Sequence, residues 1–171
     1  WSDMALNHHT EATTMLYAAR ECARILIEEG LEHAFARHLA AGRAMVAGLE
    51  AMGMRIFGDK ANKMPNVCGV HIPEGVDGER VRRGLLDHFN IEIGTSFGRL
   101  HGKIWRIGTM GYSAQRSHVL LCLAALEQVL RAEGWRAAAV AGVDAAVAHY
   151  SSSEGTSSSE GASTAPSETS P

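Results

Sequence analysis

One arginine stands out by its surroundings. In "GKIWRIGTMG", residues 102–111, Arg106 sits among Ile104, Trp105 and Ile107, which favour strands, and Gly102 and Gly111 bound the run as turn residues do. A guanidinium stays charged, and burying one unpaired costs on the order of 5 kcal/mol or more. Alternate residues of a strand share a face, so Ile104, Arg106 and Gly108 point one way and Trp105, Ile107 and Thr109 the other. The second set is the natural core face. Arg106 then stands on the opposite side, with Gly108 leaving space beside it. Two partners suit it there: a small carboxylate gripped by both arms of the fork, or a structural ion pair with Glu92 or Asp87.

A second candidate is "NHHTEA", residues 7–12. A threonine at a helix start leaves backbone N–H groups and the positive end of the helix dipole available to a phosphate. Thr10 would add a hydroxyl donor, or it would serve only as the N-cap while His8 and His9 pack locally.

Other chemistries find less support. Nine histidines suggest a metal, yet there is no His-Glu-x-x-His, His33 and His38 are five apart rather than four, and the cysteines are not paired at ligand spacing. "GTSFG", residues 94–98, matches the G-x-S-x-G elbow of serine hydrolases, but the elbow needs a helix straight after its serine. Here a turn and another strand follow. The motif fits better as a tight loop that lets a ligand approach the backbone.

The elements that must position these residues change period along the chain. Residues 10–29 predict a helix with Thr10 as N-cap, Glu11 in the first turn and Gly30 as the stop; Met15, Ala19, Cys22 and Leu26 form one apolar face. Residues 31–52 predict a second helix, ended by Gly53. Strands are expected at 54–57, 66–72, 91–95 and 103–109. Helices are expected at 77–89 and at 113–133, the latter capped by Ser113. The order is two helices, then β-β-α-β-β-α, an α+β arrangement in which helices cover one face of a small, mostly antiparallel sheet. Four segments follow: 1–53 as interface helices, 54–134 as a small α+β domain, 135–150 as an alanine-rich terminal helix, and 151–171 as a disordered tail. That tail, "SSSEGTSSSEGASTAPSETSP", has no aromatic or branched aliphatic residue to bury.

Composition narrows the partners. The formal charge is −3 with no basic block, which gives a nucleic acid no electrostatic footing. The longest uncharged apolar run, residues 119–126, is far short of the ~18 residues a membrane span needs. Three scattered cysteines fit reduced thiols in a cytoplasm better than a disulfide framework. The chain opens at Trp1 rather than Met, in a stretch with loop character, and is expected to be a fragment.

"LNHHTEATTMLYAARE" and "IEIGTSFGRLHGKIWRIGTMGY", in that order and spacing, resemble the C-terminal part of the class V pyridoxal-phosphate aminotransferases, nearest to the (S)-ureidoglycine–glyoxylate branch. The likeness covers residues 1 to about 134. It implies the C-terminal part of a fold-type I homodimer that carries an amino group from (S)-ureidoglycine to glyoxylate in purine catabolism. Alanine– or serine–glyoxylate transamination is the alternative within the class, and a non-catalytic α+β interaction domain the alternative outside it. The resemblance gives Arg106 the α-carboxylate of donor and acceptor, and gives Thr10 the phosphate of the pyridoxal 5'-phosphate held by the other subunit. Alanine–glyoxylate enzymes place a tyrosine before "HHT"; Asn7 stands there in this chain. An amide offers both donors and an acceptor, which complements a ureido group and assigns Asn7 to the substrate. Lys60, Lys63 and Lys103 are the chain's three lysines, and none has the sequence context of the family's Schiff-base lysine. That lysine is expected upstream of Trp1, so the chain by itself is expected to be inactive.

Overall fold

The computed structural model describes residues 10–136 and 141–157. At its centre two strands pair antiparallel, β1 (Val67–His71) and β2 (Ile104–Gly108), with Cys68 opposite Ile107, Gly69 opposite Arg106 and Val70 opposite Trp105. The four expected strands are all represented, but the outer two are reduced to single antiparallel bridges, Ile56 to Val70 and Gly94 to Arg106. One reason is glycine. Gly94 lies within one outer run and Gly58, at φ +90°, follows directly on the other, and glycine loses more backbone freedom on pairing than any other residue.

Before the sheet come α1 (Thr13–Glu29) and α2 (Leu31–Ala51); after it come α3 (Gly78–Phe89, between the strands), α4 (Arg116–Ala132) and α5 (Ala141–Ser157). The chain divides into two units at Ala36, within α2. The cause is visible in α2 itself. Its later residues Ala41, Met45, Leu49 and Met52 are buried in the core of the second unit.

That core covers one face of the sheet. Cys68, Val70, Trp105 and Ile107 meet Val81 and Leu85 of α3 and Leu123, Leu126 and Leu130 of α4. Close approach of α2 and α5 depends on small residues: a Cβ on Gly48 would stand 2.8 Å from the Gly142 carbonyl oxygen, and one on Gly142 2.8 Å from the Met52 sulfur. Trp105 is fully buried and its indole N–H donates to the Gly78 carbonyl at 3.3 Å, which ties β2 to the start of α3. There Asp77 caps the helix, accepting from the N–H groups of Glu79 and Arg80.

Three helix boundaries differ from the sequence reading. Thr10 is not an N-cap: α1 starts at Thr13, its N-cap position is Ala12 with no side-chain cap, and Glu11 precedes the helix instead of entering its first turn. The Thr13 N–H and hydroxyl both turn back to the Glu11 carbonyl. Ser113 is not the cap of α4 either. It closes a 3-10 turn, Gly111–Ser113, pinned by Arg37 donating to the Gly111 carbonyl and by the Gly111 N–H donating to His38. Finally, α5 continues past the expected end at Tyr150 to Ser157. Tyr150 is buried, and Ser151 and Ser152 return their hydroxyls to the carbonyls of Val147 and His149. The rest of the expected tail, 158–171, lies outside the described residues, as do 137–140. Among the described residues no helix is long and apolar enough to cross a membrane.

The first unit has a different character. No residue of α1 is buried, and Met15 and Ile27 are 72% and 79% exposed. Gly30 stops α1 at φ +84°, donating its N–H to the Leu26 carbonyl, as the sequence led one to expect.

Candidate functional site

Arg106 lies on the sheet face turned away from the helical core. Trp105, Ile107 and Thr109 are buried, while Arg106 and Gly108 are exposed; Ile104, expected on the Arg106 side, is buried as well, so exposure does not alternate at the start of β2. Its immediate neighbours across the sheet are both glycines, Gly69 on β1 and Gly94 at the bridge on the other side. The backbone of Gly94 exchanges both hydrogen bonds with Arg106, at 2.9 and 2.8 Å. A Cβ on Gly94 would touch the Arg106 Cβ and Nε at 3.6 Å, so the arginine stem lies across that glycine. A methyl group would just fit there and a branched side chain would push the stem aside.

The stem ends in a defined pose. Nε donates to the Thr95 carbonyl at 2.8 Å, and the guanidinium carbon stands over the Phe97 ring, 5.1 Å from its centroid. Neither Glu92 nor Asp87 pairs with Arg106; among the described residues its terminal nitrogens meet no carboxylate. This corrects the structural ion pair as an account of the residue. What remains is a planar fork fixed at one corner, whose two terminal N–H edges meet no partner among the described residues. Bidentate binding of a carboxylate uses those edges.

The "GTSFG" loop that supplies Thr95 and Phe97 does not build a nucleophile elbow. Ser96 is buried, a 3-10 turn (Gly98–Leu100) follows it, and no helix does. Gly98 turns the loop at φ +56°, and the His101 ring nitrogen Nδ1 lies 3.1 Å from the Ser96 carbonyl. The Thr95 hydroxyl is buried without a hydrogen-bond partner. Thiol chemistry is disfavoured as well: burial pushes Cys68 up to about 11 and Cys122 up to about 12, so both stay protonated at neutral pH. A cleft of about 490 Å³ whose lining includes Glu92, Ile107, Gly108, Thr109 and Tyr112 does not include Arg106.

Thr10 belongs to the first unit, exposed in an irregular segment just before α1. Its hydroxyl is not occupied by capping, and the first N–H groups of the helix have no side-chain partner. Asn7, with His8 and His9, lies outside the described residues. The lysines are otherwise engaged or apart: Lys60 pairs with Glu50 at 2.5 Å, Lys63 donates to the Phe57 carbonyl at 3.0 Å, and Lys103 is exposed just before β2.

Reading the sequence alone missed Thr95, Phe97, Gly69 and Gly94 as neighbours of Arg106. The signal was present in part, since "GTSFG" was marked as a loop permitting close approach, but what approaches is a side chain of the same sheet.

No protein-family model matches the chain. It is 61% identical over 130 residues to the (S)-ureidoglycine–glyoxylate transaminase of Bacillus subtilis, a match that covers 76% of this chain and 31% of that protein. It is 38% identical over 125 residues to the alanine–glyoxylate aminotransferase of Callithrix jacchus, covering 72% and 30%. Among solved structures, the ureidoglycine–glyoxylate aminotransferase from Bacillus subtilis superposes with a TM-score of 0.81 at 55% identity, over 88% of this chain and 39% of that one. The chain thus spans about a third of the length of the relatives it matches.

Proposed function

We propose, since the chain belongs to the class V aminotransferases, that it is the C-terminal part of an enzyme moving an amino group from (S)-ureidoglycine to glyoxylate in purine catabolism. Arg106 is the observation that carries this reading. A charged fork, held at Nε by Thr95 and meeting no carboxylate among the described residues, is arranged to receive one. Donor and acceptor each bear a carboxylate attached directly to the reacting carbon. One clamp can therefore bring either to the same position, which two half-reactions through one site require.

Pyridoxal 5'-phosphate, when bound, supplies the electron sink that lets the substrate's α-hydrogen leave and its amino group change carrier. The residues present fit one edge of it. Thr10, with an uncapped helix start beside it, suits the phosphate. Lys60 is engaged by Glu50 and Lys63 by the Phe57 carbonyl, and Lys103 is exposed just before β2. None of the three has the sequence context of the family's Schiff-base lysine, so the anchoring amine is assigned to residues outside this chain, and the chain by itself is not expected to transaminate. Asn7 is proposed to read the ureido group. The apolar side chains exposed on α1, among them Met15, Leu16 and Ile27, favour burial against a second copy in a homodimer. Three free cysteines favour a reducing cytoplasm.

Steady-state assays of the full-length protein with glyoxylate as acceptor test the reading. (S)-ureidoglycine should exceed alanine and serine in kcat/KM, and Asn7→Tyr should narrow that gap. A preference for alanine would move the assignment to the neighbouring branch, and turnover of no amino donor would favour an interaction domain.

A further inference from the structure

The "GTSFG" loop is the one motif of the sequence that the proposed reaction has not yet used, and its two contacts with Arg106 give it a role. An arginine side chain has many rotamers, and a fork free to sweep among them loses that freedom each time a carboxylate binds. Here two features remove it beforehand. The Thr95 carbonyl accepts from Nε at 2.8 Å and fixes the plane at one corner. The Phe97 ring stands beneath the guanidinium carbon at 5.1 Å, within the range of cation–π attraction, and closes one side of that plane. Phe97 is itself 74% exposed, so it adds little to the core. A large aromatic ring left in solvent and laid against a charged group is poorly explained by folding stability alone. Gly94 completes the arrangement, because its missing side chain lets the arginine stem cross to the loop.

We infer that Phe97 is a positioning residue for Arg106, holding the guanidinium so that a carboxylate enters only at the edge of its two terminal nitrogens. The inference rests on the proposed carboxylate-binding role of Arg106 and adds to it the device that sets the fork. A contact made equally in ground and transition states changes KM and leaves kcat alone. Losing the ring should therefore weaken binding of every small carboxylate without slowing the chemical step.

The test compares Phe97→Leu, Phe97→Tyr and Arg106→Lys in the full-length protein. Each is assayed for kcat and KM with glyoxylate, for inhibition by acetate as a bare carboxylate, and for thermal midpoint. Phe97→Leu should raise KM and the acetate inhibition constant together, each about tenfold, with kcat within about twofold and the midpoint nearly unchanged. Phe97→Tyr, which keeps the ring, should stay within about twofold of the parent on both constants. If Phe97→Leu leaves both constants unchanged while Arg106→Lys raises them, the positioning role is overturned and the role of Arg106 stands. A fall in the thermal midpoint of Phe97→Leu with both constants unchanged also overturns it, since the ring would then only be packing. If Arg106→Lys itself moves neither constant, the reading beneath the inference fails.

Discussion

The strand that carries Arg106 and the segment that carries Thr10 are furnished in opposite ways. Around Arg106 the chain supplies a paired strand on one side, a bridged glycine on the other, a carbonyl at Nε and a ring under the guanidinium. Behind it lies a core in which Trp105, Leu123 and Leu126 are fully buried. Around Thr10 there is no regular element, and the helix that follows buries no residue. The difference separates the two residues proposed for the site. One has its geometry written into its own fold, and the other offers a hydroxyl that the described part of its own unit leaves unfurnished. Variants should accordingly fail differently in the two regions.

The largest effect is expected where the well-furnished region is most tightly packed. Trp105→Ala removes a fully buried ring and its bond to Gly78, and should cost about 3–5 kcal/mol in chemical denaturation. A cost below about 1 kcal/mol would mean that β2 is not anchored through this residue. In the other region the effect should be on binding rather than folding. Thr10→Ala in the full-length protein should weaken retention of pyridoxal phosphate about tenfold, roughly 1.4 kcal/mol for one hydrogen bond to a charged group. Stability without the cofactor should hardly change, because Thr10 makes no capping bond. A drop in apo-protein stability would erase the contrast between the two regions.

The smallest effect is one of pH. His71, on β1 two residues from the glycine opposite Arg106, has its pKa lowered by burial and, secondarily, by the positive charge of Arg55, whose Nη2 lies 3.0 Å from His71 Nδ1. A group with a depressed folded pKa is neutral in both states above the unfolded value, near 6.5, and there stability does not depend on it. Below that value the unfolded chain binds more protons, so stability falls as the pH drops through the folded pKa. His71→Gln should flatten that part of the stability profile. An unchanged profile would assign the acid sensitivity to other groups.

How far the site could be read from the sequence depended on the range of the interactions involved. Alternation alone separated Trp105, Ile107 and Thr109 from Arg106, since a strand's faces follow from its own residues. The Asp77 start and Gly30 stop were local too, and both appear. What the sequence did not disclose was pairing. That Gly69 and Gly94 flank Arg106 depends on register between strands 37 and 12 residues away, which the alternation of one strand cannot fix. Thr10 looked like a cap because threonine before a helix usually is one, and the Glu11 carbonyl, by engaging Thr13, moved the start of α1 three residues along. The serine-rich stretch looked wholly unstructured because helix propensity and apolar content are both low there. The anchoring of Tyr150 in the core carries α5 into it nonetheless.

The central claim is that Arg106 receives the substrate carboxylate through its fork rather than through its charge alone. Arg106→Lys keeps the charge and loses the two parallel donors. Steady-state kinetics of that variant in the full-length protein, with glyoxylate as acceptor and the cofactor spectrum recorded alongside, tests this most directly. The account predicts a fall in kcat/KM of about 10²-fold, equivalent to about 2.7 kcal/mol, with cofactor absorbance unchanged. Kinetics indistinguishable from the parent would contradict it and return Arg106 to a structural role.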